Sequence, residues 1–209
     1  MERIINSFAE YLALELELDK EKKEVIAYGA FAIIQIVMSI VFIIIFGIIF
    51  KCMVEALIIS FTVSILRKYS GGVHASSLER CIVLGTLICI GAALIVKYMT
   101  YSNINFKNLI VAEIAIFIFS YIIIIKLSPV DSPEKPIKNL NKRVKMKKLS
   151  IVILTLYLIC ATVGFFMWNN KVITYSLCIS IGVLWQTFTL TSMGHIFVTK
   201  LDKKLKIFI

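Results

Sequence analysis

A chain of 209 residues that is 59% hydrophobic, with a mean hydropathy of +0.91 and 23 Lys and Arg against 13 Asp and Glu, lies outside the range of water-soluble domains, which run about 45–50% apolar. This excludes a soluble enzyme and makes lipid the solvent, where only helix bundles and closed barrels satisfy the backbone. The apolar stretches are continuous, as in 31–50 and 151–168, with no barrel-like alternation, so the expected fold is an all-α polytopic membrane helix bundle forming a single domain over 1–209.

The first 24 residues carry seven acids and four bases, unlike the basic-then-apolar layout of a cleavable signal peptide. They are expected to be retained on the cytoplasmic side. Within them, 2–18 places Ile4, Ile5, Phe8, Leu12 and Leu16 near one face of an amphipathic helix, which either packs on its own bundle or offers a groove to a partner helix. Six apolar segments follow, at roughly 25–50, 54–66, 82–99, 109–125, 149–168 and 172–199. The second is short: thirteen residues rise about 20 Å against a hydrocarbon core of about 30 Å. Behind it stands a polar island, 67–81. The stretch 126–148 holds eight Lys and Arg against Asp131 and Glu134, with three prolines, and four more bases follow Thr199. By the positive-inside rule that basic loop and the tail are cytoplasmic, the turn Asn169-Asn170-Lys171 is outside, and counting backwards puts 67–81 inside. About six crossings with both termini cytoplasmic satisfy every charge cluster, in a multi-pass cell-membrane protein.

Known intramembrane protease chemistries are tested by their signatures. There is no HExxH, no GxSxG, and no Asp in any membrane segment, so metallo-, serine and aspartyl protease readings are disfavoured and cysteine chemistry remains. No metal or other cofactor is expected, and no nucleic-acid partner. The five cysteines form no CxxC pair, and a disulfide framework is not expected. Cys81 opens an apolar helix behind Ser76-Ser77-Leu78-Glu79, which fits a capping box with Ser76 as N-cap and Glu79 at the third helical position. The helix dipole and the adjacent Arg80 both favour a thiolate there. His74 lies seven residues earlier; on one straight helix that separation would be about 10.5 Å, too far for proton transfer, but Gly71-Gly72 and the cap interrupt the helix. The N–H groups of Gly71 and Gly72 can face a developing oxyanion, and Arg67 can stabilise the same charge or clamp a substrate carboxylate. Glu79, Ser70 and Ser76 are candidates to orient His74, none singled out by spacing. A packed thiol beside a polar loop residue is the plain alternative. His195 and Glu113 read as structural polar contacts.

The run Arg67-x4-Gly72-x-His74-x6-Cys81, together with the amphipathic start, Tyr28-Gly29 and the proline-bearing basic loop, resembles the active-site signature of the AgrB (accessory gene regulator B) family of membrane endopeptidases in Gram-positive quorum sensing. The resemblance implies that Cys81 is the nucleophile and His74 its base, with Arg67 and Gly72 in support. It further implies an AgrD-like propeptide as substrate, cleaved before an acidic tail through a thioester and cyclised to a thiolactone or lactone. The bilayer is the other partner, with homodimerisation left open. A small transporter or exporter, or a non-catalytic membrane sensor, are the competing classes; the first would be expected to show internal repeats or paired intramembrane charges, and the second would tolerate Cys81→Ser.

Overall fold

The computed structural model describes residues 15, 20–73, 75–101, 106–131, 139–167 and 169–207. Among these, seven helices follow one another: α1 (Lys20–Ile49), α2 (Met53–Ser70), α3 (Leu78–Tyr101), α4 (Phe106–Leu127), α5 (Leu140–Phe166), α6 (Asn170–Phe188) and α7 (Ser192–Leu205). The expected all-α architecture is therefore present. The amphipathic helix expected over 2–18 falls outside the described residues apart from Glu15, as do His74 and 132–138. The chain divides into two compact units, one ending at Phe42 and one beginning at Ile43 within α1. The site lies entirely in the second.

Leu78–Tyr101, Lys107–Leu127, Leu140–Phe166 and Asn170–Phe188 are long and apolar enough to cross a bilayer, and Ile33–Ile49 is a shorter apolar helix. The protein is thus a multi-pass membrane protein. α2 is longer than its apolar run: it has 18 residues, about 27 Å of rise, because it continues through Arg67 and Lys68, cations that suit the negative end of the helix dipole.

α6 packs on α2, α3, α4 and α5. Its buried residues explain this central place: Thr174, Ser176, Ser180, Gly182, Gln186 and Thr187 are small or polar, and helices in lipid associate through close backbone approach and interhelical hydrogen bonds. A Cβ on Gly182 would stand 2.9 Å from the Thr62 Cβ and 3.3 Å from Ile59 O, so α2 and α6 touch where no larger residue fits. The Ser120 and Thr187 hydroxyls meet at 3.2 Å, and those of Tyr121 and Thr155 at 2.7 Å. Two buried apolar clusters flank α6, one around Ile59, Val96, Phe165 and Cys178, the other around Leu66, Phe117, Leu154 and Val183. No disulfide joins the five cysteines.

Two sequence expectations change. The last apolar run, 172–199, is two helices, broken at 189–191. Thr191 caps α7 by accepting from Gly194 N at 3.1 Å and donates to Phe188 O at 2.8 Å, while Thr189 donates to Gln186 O at 2.7 Å. Hydroxyls placed to take up the free backbone groups of two helix ends make this break possible without proline. The basic stretch 126–148 is only partly loop, since Asn139 caps α5 by accepting from Asn141 N and Lys142 N, and the cations from Lys142 onward lie in the first turns of that helix.

Candidate active site

α2 ends in a turn that only glycine can make. Gly71 has φ 72° and ψ −152°, a region nearly restricted to glycine, and Gly72 follows at φ 128°. Two other parts of the bundle hold this turn. Behind α4, Val130 donates its N–H to Ser70 O at 2.9 Å and bridges to Gly71, whose hypothetical Cβ would overlap Val130 O. From α6, the fully buried Gln186 donates Nε2 to Gly71 O at 2.8 Å and to Ser70 Oγ at 3.0 Å. Gly72 backs onto the same wall, where a Cβ would lie 3.0 Å from Thr189 Oγ1 and 3.4 Å from Gln186 Nε2. The loop behind α4 is itself fastened to α5, through Arg143, which reaches Asp131 Oδ2 and Pro129 O, each at 3.4 Å.

Arg67, in the last turn of α2, donates from Nη2 to Val73 O, and its Nε is buried with no hydrogen-bond partner among the described residues. Its charge interacts with Cys81. Arg67 and Cys81 line one cavity of about 50 Å³ together with Val73 and Ala75, and the rest of the wall is largely apolar, including Leu84 and Ile88 of α3, Trp185 of α6, and Val198 and Leu201 of α7. Cys81 is half-buried there; Cys52, Cys89 and Cys178 are buried within the bundle, and Cys160 is exposed on α5.

The start of α3 differs from the expected capping box. Ser77 accepts from Arg80 N at 3.3 Å and begins the backbone ladder, its carbonyl accepting from Cys81 N at 3.0 Å, so Ser77 is the cap. Ser76 is drawn instead to Asp202 of α7, donating Oγ to Oδ2 at 2.5 Å. Arg80, expected to act on Cys81, also turns to Asp202, with Nε at 2.8 Å from Oδ1. Burial alone would raise the Asp202 carboxyl, but hydrogen bonds from Ser76 Oγ, Arg80 and Ser76 N–H, with the Arg80 charge, hold it below the usual carboxylate range.

The structure therefore sets Arg67 and Cys81 on one cavity wall and Gly71 and Gly72 in the loop that follows Arg67; the Gly71 N–H, expected to face an oxyanion, is instead bonded to Arg67 O at 2.9 Å, because it closes the last turn of α2. Of the candidate orienters, Ser70 is engaged by Gln186 and Ser76 by Asp202, while Glu79 sits in the first turn of α3 with no hydrogen bond from its side chain among the described residues. Their relation to His74 lies outside those residues. His195 is half-buried in the first turn of α7 and Glu113 is buried in α4. Sequence reading missed Gln186, although an amide in a membrane helix was the available signal, and Asp202, an acid in a basic tail.

The family model of accessory gene regulator B matches residues 5–190. The chain belongs to the AgrB family. Two AgrB-like proteins of Clostridium perfringens, from strain SM101 / Type A and from strain 13 / Type A, are each 40% identical over 206 residues, covering 97% of this chain and 96% of theirs. A second AgrB-like protein of strain 13 is 26% identical over 189 residues, 90% of this chain and 97% of its own. No solved structure matches. AgrB membership ties the chain to the agr quorum-sensing system, and the AgrB match ends before α7 begins.

Proposed function

We propose that this chain is a membrane-embedded cysteine endopeptidase and peptidyl transferase that processes an AgrD-like propeptide. The observation that carries the reading is that Cys81 and Arg67 share the wall of one small, largely apolar cavity at the start of α3. His74 takes the Cys81 proton, and Cys81 Sγ attacks the carbonyl carbon of the peptide bond before the acidic tail. The C–N bond breaks, the tail leaves as an amine that recovers the proton from His74, and a thioester remains on Cys81. Arg67, with its buried Nε, and the backbone N–H of Gly72 support the developing oxyanion or the substrate carboxylate, while Gly71, whose N–H is taken by Arg67 O, shapes the turn. An internal thiol or hydroxyl of the propeptide then attacks the thioester, giving up its proton as Cys81 is released and the ring closes. Leu84, Ile88, Trp185, Val198 and Leu201 favour this transfer, because a dry wall slows hydrolysis while the tethered nucleophile has a high effective concentration.

Reconstitution with an AgrD-like propeptide that ends in an acidic tail should release the tail, as followed by mass spectrometry. Replacing the propeptide's internal nucleophile by alanine should trap an acyl adduct on Cys81 that hydroxylamine removes. Rapid turnover of that substrate to a linear acid with no adduct would defeat the cyclase reading.

In this reading the site and both termini face the cytoplasm; the cations Lys142, Arg143, Lys145, Lys147 and Lys148 at the start of α5 support it. A cysteine introduced at Asn139 in a cysteine-free background should resist an impermeant thiol reagent in intact cells and react after permeabilisation. Labelling in intact cells would reverse the orientation.

A further inference from the structure

One carboxylate bridges both ends of the stretch between His74 and Cys81. Asp202 Oδ2 accepts from Ser76 Oγ at 2.5 Å and from Ser76 N at 3.3 Å, and Oδ1 accepts from Arg80 Nε at 2.8 Å. Arg80 Nη2 closes the triangle by donating to Ser76 Oγ at 2.7 Å. Ser76 stands two residues after His74, and Arg80 immediately precedes Cys81. The ion-paired side chains are only 13% and 12% exposed, so water competes weakly with these charge-assisted bonds. The carboxylate lies on α7, which also supplies Val198 and Leu201 to the cavity wall beside Cys81.

We infer that Asp202 is a positioning residue for the reaction: it fixes the loop–helix junction so that His74 and Cys81 keep a working separation, and seats α7 against the cavity. This rests on the pairing of those two residues in the proposed function. Asp202 touches no reacting atom in this role. Neither the motif nor the Ser77 cap of α3 requires an acid from α7. Yet without it Ser76 loses the acceptor that diverts it from capping α3, and Arg80 is left as a half-buried cation without its counter-charge.

The test uses the full-length protein in lipid nanodiscs, with alkylation of Cys81 by iodoacetamide followed across pH by site-resolved mass spectrometry. Wild type and His74→Ala should give different pH profiles, since in the proposed function only the first has a base for the thiol. Asp202→Asn keeps the size and removes the charge. It should move the profile to that of His74→Ala and lower the neutral-pH rate by about tenfold or more, whereas Asp202→Glu should restore much of the wild-type profile. Arg80→Gln, which breaks the same ion pair from the other side, should reproduce Asp202→Asn and serves if that variant folds poorly. A wild-type profile in Asp202→Asn or Arg80→Gln, with His74→Ala altered, overturns the positioning role and leaves the proposed function standing. Identical profiles for wild type and His74→Ala would instead remove the pairing itself.

Discussion

Cys81→Ala and His74→Ala should each abolish tail release, by about 10³-fold or more, while leaving insertion and expression unchanged. The Cys81→Ala loss should not come from the fold: Cys81 is half-buried at a cavity wall and is not among the buried apolar clusters of the bundle. The other thiols give the contrast. Cys52, Cys89 and Cys178 are buried apolar-type contacts and Cys160 is exposed on α5, so alanine at each should leave the tail-release rate largely intact. Substantial cleavage by Cys81→Ala, or abolition by one of the other four with normal expression, would move the nucleophile elsewhere.

Gly71→Ala should be nearly as damaging, although it removes no functional group. Its backbone conformation costs a residue with a Cβ about 1–3 kcal/mol, and the new methyl would overlap Val130 O. The turn must then give up its bridge to Val130, and with it the geometry that Gln186 reads at Gly71 O. Because small misplacements near a reacting centre cost on the order of 10²-fold, tail release should fall by about that factor while the protein still inserts. Gly91→Ala supplies the control: its Cβ would meet nothing within 4 Å, and a helical alanine there should be neutral or stabilising by up to about 1 kcal/mol. Wild-type cleavage by Gly71→Ala would show that the turn is not part of the working site.

The helices were legible because lipid demands long apolar runs, and those runs mark α3, α4, α5 and α6 plainly. The family was legible from Arg67, Gly72, His74 and Cys81 in order. The break before α7 was not, since it depends on threonine hydroxyls at 189 and 191 reaching particular carbonyls, and these residues look unremarkable in an apolar run. The cap of α3 was misplaced by one residue for a related reason. Adjacent serines fit nearly the same pattern locally, and the choice between them is made by Asp202, 126 residues away from Ser76. Gln186 acts at similar range, 116 positions along the chain from Ser70. Partners this distant leave no local periodicity to read.

The tethering of the glycine turn bears on what the motif can be moved into. Val130 holds it from beyond α4 and Gln186 from α6, while its own helix, α2, meets α6 at Gly182. The turn's shape is therefore a property of three helices in contact and does not reside in residues 67–81. A peptide with that sequence, or a graft of it onto another membrane scaffold, would carry the letters of the motif without the walls that bend it, so the spelling is not a transplantable cassette.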